Sequence, residues 1–205
     1  MKLFYSPPSP FARKVLVTLI ETDQIDDVEL VQVKVGPLDP GEIVPSFNPL
    51  GKIPTLILPG GKPLIDSKLI CRYFADKKNS PYDIEFYPPG MDLWSVLNLE
   101  ALADGIMDAA ILLVYEKRIR EKEFRVKSWV DAQRLKITRT LNFLEAQQTT
   151  FSKDLNIGSL TICIALDYLD FRHADMEWRL NCPYLADWHI EIKNRRSLAS
   201  TMPHD

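Results

Sequence analysis

The sequence predicts a small α/β domain followed by a larger all-helical domain. Three observations carry that expectation. Strand and helix signals alternate over the first 80 residues, a proline-rich stretch (79–90, NSPYDIEFYPPG) interrupts them, and helical periodicity dominates beyond it. The boundaries read as 1–78 for the α/β domain, 79–90 for a linker and 91–205 for the helical domain. A chain of 205 residues is long enough for two such domains, each with its own core.

Residues 2–5 (KLFY) form a short strand that ends in the breaker Ser6-Pro7-Pro8-Ser9-Pro10. A helix then begins with Ser9 as N-cap and Pro10 at its first position, where a missing N–H costs nothing. Phe11, Val15, Leu16, Leu19 and Ile20 recur at helical spacing along it. Val31, Val33 and Val35 alternate with Gln32 and Lys34, the period-two pattern of a second strand. Residues 36–50 are rich in proline and glycine, a loop with room for one short helix around Glu42–Phe47. Thr55-Leu-Ile-Leu and Pro63-Leu-Ile-Asp flank a Pro-Gly-Gly turn and read as a hairpin. Ser67 can cap a helix running to about Lys77. The order is β-α-β-(α)-β-β-α. Beyond the linker, helices are expected over 91–121, 125–148, about 158–172 and 184–196.

Composition narrows the function. A net charge of −3 gives no basic field for nucleic acid or an anionic membrane surface. No uncharged apolar run can span a bilayer, and the N-terminus has no signal-peptide pattern. Cys71, Cys163 and Cys182 are odd in number and form no CxxC, which speaks for a reducing compartment and against a cysteine-based metal site. A cytoplasmic protein without metal is expected. His173, His189 and His204 have no ligand-like spacing, and Gly51-Lys52 lacks the flanking residues of a phosphate-binding loop. The charged run 116–127 reads as a solvated helix end and turn.

Three separated pieces stand out: Ser9-Pro10-Phe11 at the first helix start, Gly51-Lys52-Ile53-Pro54-Thr55-Leu56 before the hairpin, and Asp66-Ser67 after it. Singly, each has an ordinary structural reading as a cap, a turn and a helix start. In this order and spacing they resemble the glutathione-binding half of the cytosolic glutathione transferases. Ala165-Leu-Asp-Tyr-Leu-Asp-Phe-Arg172 resembles a helix of a bacterial branch of that superfamily, so the resemblance covers nearly the whole chain. It implies a thioredoxin-like N-terminal domain, a glutathione transferase-type helical domain, glutathione as co-substrate and a homodimer. It also implies detoxification by conjugation of a small-molecule electrophile.

Residue by residue, the resemblance makes Ser9 the catalytic hydroxyl and Ile53–Pro54 a cis-proline segment, whose backbone pairs with the cysteinyl backbone of glutathione in the manner of an added strand. Asp66 and Ser67 would receive the γ-glutamyl ammonium and carboxylate. Lys34 and Lys52 are candidates for the glycyl carboxylate, and Phe11 is a further glutathione-binding candidate. A free thiol has a pKa near ~8.5, so donation from Ser9 together with a helix N-terminus would favour the thiolate. Tyr5 is the alternative hydroxyl donor. The electrophile pocket would draw on Phe11, Met107, Ile111, Leu112 and Tyr115, all of which can equally serve packing. One departure stands out: where the superfamily has Ser/Thr-x-x-Asp, this chain has Ser159-Leu160-Thr161-Ile162, so either Ser159 or Asn156 must cap that helix. The rival readings are a glutathione-dependent thiol transferase or peroxidase, for which a cysteine in place of Ser9 would be expected, and a non-catalytic glutathione-binding scaffold.

Overall fold

The computed structural model describes residues 1–77, 84–147 and 155–205. Residues 79–83 of the expected linker and residue 148 of an expected helix lie outside the described residues. The rest form two compact units, residues 1–87 with 196–205, and residues 88–195. The last ten residues, which the sequence pattern groups with the helices, thus fold with the α/β unit.

The first unit contains β1 (Lys2–Tyr5), α1 (Pro10–Glu21), β2 (Glu29–Gln32), β3 (Thr55–Ile57), β4 (Pro63–Leu64) and α2 (Ser67–Asp76). The sheet order is β2-β1-β3-β4. β1 and β2 are parallel, joined by the α1 crossover that parallel pairing requires, whereas β1–β3 and β3–β4 are antiparallel. This is a thioredoxin-like sheet. Leu3 and Leu56 lie opposite one another in its two central strands and are fully buried. α1 sends Ala12, Val15 and Leu19 inward, and α2 sends Ile70, Cys71 and Phe74. Cys71 is a core thiol beside Thr18 Oγ1, at 3.3 Å.

Three local expectations shift. The second strand lies at 29–32 rather than 31–35; the in–out alternation continues through Val35, but pairing with β1 ends at Tyr5↔Gln32 because β1 turns into its proline breaker there. The short helix in the loop is a single 3-10 turn, Val44–Ser46. The N-cap of α2 is Asp66, not Ser67: Asp66 has extended backbone and its Oδ1 accepts from Lys68 N at 3.0 Å, so Ser67 becomes the first helical residue.

The second unit holds α3 (Met91–Arg118), α4 (Lys127–Ala146), α5 (Ile157–Arg172), α6 (Trp178–Asn181) and α7 (Pro183–Ile192). α5 is its centre, buried on every side from Ile157 to Leu169. Such a helix is apolar all round, and each large apolar side chain sealed in it contributes about 1.5–3 kcal/mol. Its start resolves the capping question. Asn156 Oδ1 accepts from Ser159 N, and Ser159 Oγ accepts from Asn156 N, both at 2.9 Å. That reciprocal pair satisfies two otherwise orphaned amides without the missing aspartate. The charged run closes α3 as expected: Glu116 accepts from Arg120 Nε (2.8 Å) and Val126 N (3.1 Å).

α3 approaches α5 closely at Gly158, where a Cβ would stand 2.8 Å from the Val96 carbonyl oxygen and 2.9 Å from Leu99 Cβ. Gly158→Ala is therefore expected to destabilise the protein by about 1–3 kcal/mol, although alanine has the better helix propensity by about 1 kcal/mol. Urea denaturation checks this, and an unchanged or raised midpoint would disprove the close approach.

Candidate functional site

Strand directions bring the singled-out residues of the first unit together. β1 and β2 run one way and β3 the other, while β4, antiparallel to β3, again runs with β1. The C-terminal ends of β1, β2 and β4 and the start of β3 therefore share one end of the sheet. The Ser6–Ser9 turn leaves β1 there, Lys34 follows β2, Lys52-Ile53-Pro54 enter β3, and Ile65-Asp66-Ser67 leave β4. Both long helices of the unit consequently begin at this end.

At the start of α1, Ser9 has extended backbone (φ −83°, ψ 116°), and its Oγ accepts from Ala12 N at 3.2 Å. Its amide donates to the Ser6 carbonyl at 3.0 Å, closing the proline turn. A hydroxyl that accepts from a helix amide keeps its own hydrogen for an outside acceptor, and that amide polarises the O–H. Ser9 is half-buried, as are Phe11 in the first helical turn and Tyr5 at the end of β1.

The loop into β3 is sewn by side chains. Asn48, buried at its base, donates through Nδ2 to the Lys52 carbonyl (2.8 Å) and Thr55 Oγ1 (3.0 Å), and its Oδ1 accepts from Leu50 N (3.0 Å). Thr55 Oγ1 donates to the same Lys52 carbonyl at 2.8 Å. Gly51 has φ +61°, and a Cβ on it would meet Pro40 Cβ at 2.5 Å. Glycine is required here on both counts. The Ile53–Pro54 bond is cis, as the resemblance implies, and the Ile65–Asp66 bond is also cis. Ile53 stands two residues before the last β1–β3 pair, Phe4↔Thr55. The sewing role of Asn48 has no short-range signature, since its partners lie across a loop.

At the start of α2, Asp66 is exposed and Ser67 is buried. Lys68 N occupies one carboxylate oxygen of Asp66. A carboxylate has two oxygens, so capping is compatible with receiving an ammonium. Lys34 and Lys52 are exposed; Lys34 lines a cleft of 190 Å³ with Val33, Val35, Gly41 and Val44. A second cleft, of 180 Å³, carries Glu21, Asp76 and Glu85 and is ill suited to an anionic ligand.

The residues expected for an electrophile pocket lie in different surroundings. Met107 is fully buried on α3, Ile111 is partly buried, and Leu112 and Tyr115 are partly exposed. Burial raises the Tyr115 phenol above its ordinary pKa, so it remains a neutral hydrogen-bond donor near pH 7.

One donor cluster was invisible in the spacing. Cys163 and Asp167, four residues apart on α5, meet His189 of α7, with ligand-type atoms within 4.8 Å of one another and all three side chains buried. His189 Nε2 lies 2.8 Å from Asp167 Oδ1, and its Nδ1 lies 3.2 Å from Arg179 Nη2. A guanidinium only donates, so Nδ1 accepts and Nε2 carries the proton given to Asp167. Arg179 in turn forks onto Asp170, which also accepts from Trp178 Nε1 at 2.9 Å. The arrangement is a hydrogen-bond relay joining α5, α6 and α7.

The model of the glutathione S-transferase N-terminal domain matches residues 8–77. Over 206 aligned residues the chain is 32% identical to the GST-like protein YibF of Escherichia coli K12, itself uncharacterized, covering 99% of this chain and 98% of that one. A glutathione transferase family member from Pseudomonas fluorescens Pf-5, solved with bound glutathione, is 41% identical with a TM-score of 0.94, covering 100% of this chain and 99% of that one. A structure from the same strain with bound S-(propanoic acid)-glutathione is also 41% identical, with a TM-score of 0.90 and full coverage of both chains. Sequence order, sheet topology and full-length similarity agree, and the chain belongs to the glutathione S-transferase superfamily.

Proposed function

We propose that this chain is a serine-type glutathione transferase that binds glutathione and activates it as thiolate for attack on a small electrophile. The observation that carries the reading is the engagement of Ser9 Oγ by Ala12 N, which leaves the hydroxyl hydrogen to donate at a helix N-terminus. Lowering a thiol pKa by about two units needs roughly 2.7 kcal/mol of preferential stabilisation. One charge-assisted hydrogen bond and a helix terminus supply that order of energy. In the step itself, the sulfur lone pair forms the new S–C bond while the electrophile's leaving group departs with its bonding pair. With an activated alkene, the adjacent carbon instead takes a proton from solvent. Ser9 holds the thiolate throughout and is not a nucleophile.

In this reading the Ile53 backbone pairs with the cysteinyl residue, Asp66 and Ser67 hold the γ-glutamyl end, and Lys34 and Lys52 draw the glycyl carboxylate. Phe11 borders the sulfur, and Met107, Ile111, Leu112 and Tyr115 serve the electrophile side. The Pseudomonas relative that holds S-(propanoic acid)-glutathione, a thioether of the kind conjugation yields, favours transfer over storage. A disulfide-exchange activity finds less support. All three cysteines are buried, and burial pushes the Cys182 thiol up to about 11, far from the reactive range. The protein is read as a cytoplasmic homodimer working without a metal. Among the described residues, no helix is long and apolar enough to cross a membrane.

Asp66 separates binding from folding. Asp66→Asn keeps a capping oxygen but removes the charge, so glutathione should bind about 1.5–3 kcal/mol more weakly with stability little changed. Asp66→Ala should lose affinity and, in addition, about 0.5–2 kcal/mol of stability. Calorimetric titration beside thermal melts reads both, and wild-type affinity in both variants would misplace the γ-glutamyl group.

Ser9 tests the chemistry. Ser9→Ala should bind glutathione nearly as well as wild type but conjugate roughly 10–100-fold more slowly at neutral pH, a loss of about 1.4–2.7 kcal/mol. The deficit should shrink at alkaline pH, where glutathione ionises unaided. Ser9→Cys should gain disulfide exchange, because a thiol at a helix N-terminus becomes a nucleophile. Steady-state assays over pH with aromatic halides, epoxides and hydroperoxides decide it. Full activity in Ser9→Ala, with loss in Tyr5→Phe, would transfer the role to Tyr5.

A further inference from the structure

Residues 196–205 belong to the first unit, and their contacts converge on α1, the helix that begins at Ser9. Arg13 lies one turn beyond Ser9, and its amide makes the first helical hydrogen bond, to the Ser9 carbonyl at 3.0 Å. The Arg13 side chain is only 2% exposed. Its Nη2 donates to the Leu198 carbonyl at 3.0 Å, its Nε donates to Thr201 Oγ1 at 3.3 Å, and the Met202 sulfur lies 3.4 Å from Nη2. At the far end of the same helix, the buried carboxylate of Glu21 accepts from the Ser197 hydroxyl. Arg13 and Glu21 are eight residues apart, about 12 Å along the axis.

This pattern does more than fill space. A buried guanidinium is stable only with acceptors in place, and the Leu198 carbonyl belongs to the last turn of α8 (Arg196–Ala199), where carbonyls lack helical partners. The Leu198 carbonyl gives Arg13 Nη2 an acceptor and receives a donor in return. A planar fork bonded to a carbonyl and a hydroxyl fixes rotation as well as distance. With a second attachment at Glu21, α1 is held against both rolling and sliding. The strength of a hydrogen bond to a sulfur anion depends on the placement of the donor to within about 0.5 Å.

We propose that the C-terminal segment is a clamp that positions Ser9, with Arg13, Thr201 and the Glu21–Ser197 pair as positioning residues for thiol activation. The proposal rests on the reading of Ser9 as the hydroxyl donor to glutathione. It assigns the tail a role at the sulfur without contact to substrate.

Thr201→Val preserves volume and removes the oxygen that receives Arg13, whereas Thr201→Ser keeps that oxygen. The readout is the thiol pKa of bound glutathione in the full-length protein, followed by thiolate ultraviolet absorbance, beside kcat, KM and a thermal melt. Thr201→Val should raise that pKa by about 0.5–1 unit, which from a bound value about two units below the free thiol lowers the thiolate at pH 7 by roughly 1.5-fold to threefold. KM for glutathione should stay within about twofold, and the lost rate should return at alkaline pH. Thr201→Ser should behave as wild type. Ser197→Ala carries the same expectation from the other end of α1 and decides the matter if Thr201→Val does not fold. A folded Thr201→Val or Ser197→Ala with a lower melting temperature and an unmoved thiol pKa would overturn the clamp while leaving the Ser9 reading intact. A wild-type protein that binds glutathione without lowering its thiol pKa would overturn both.

Discussion

Two helix N-termini opening at one end of a four-stranded sheet are the constraint on which the rest of the site depends. Each presents amide hydrogens without helical partners and the positive end of a helix dipole. At α1 an amide is taken by Ser9 Oγ, and at α2 another is taken by Asp66 Oδ1. The two caps differ in consequence. A serine cap remains a donor, whereas an aspartate cap remains an acceptor and an anion. One end of the sheet therefore offers a hydroxyl hydrogen suited to a thiolate and, across β3 from it, a carboxylate suited to an ammonium. The tripeptide glutathione carries both groups, and the strand order brings both caps to the same end of the sheet.

Holding this end in place takes support from behind. Asn48 and Thr55 tie the Lys52 carbonyl, so the backbone entering β3 has one course. Gly51 supplies the positive φ and the close pass by Pro40 that this course needs. The C-terminal segment grips α1 at Arg13 and Glu21. In the second unit a comparable economy is seen around α5. Its cap is a reciprocal Asn156–Ser159 pair, its first turn admits α3 because Gly158 has no side chain, and its far half is pinned to α6 and α7 through Asp167, Asp170, His189 and Arg179. Substituting a hydrogen-bond relay for plain apolar contact fixes how these helices meet, since each buried polar group needs its partners in place.

What could be read in the sequence was what local chemistry encodes. The Ser9-Pro10 start, the glycine turn of the hairpin and the long periodic helices need only neighbours in sequence, and all are present. Asp66 and Ser67 are adjacent and both cap well, so the residue pattern could not choose between them; the extended backbone at Asp66 does. The second strand was set two residues late because alternation of burial outlasts the ladder that β1 can offer. α6 and α8, four residues each, are too short to carry a period, and α5, buried on all sides, has no polar face to mark its orientation. Asn48, Arg13 and the Asp167–His189 pair were out of reach for one reason: their partners lie across a loop or far along the chain. The ordered trio of motifs nonetheless falls at one end of the sheet, because strand order turns sequence spacing into a shared end.

The central claim is that this end of the sheet holds glutathione as a thiolate. Proton release on binding tests it most directly, through calorimetric titration of the wild-type protein with glutathione at pH 7 in two buffers of different ionisation enthalpy. A free thiol is almost wholly protonated at that pH, and one whose pKa falls by about two units is mostly ionised. The account predicts release of roughly 0.7 proton per glutathione bound. Binding with no net proton release would contradict it.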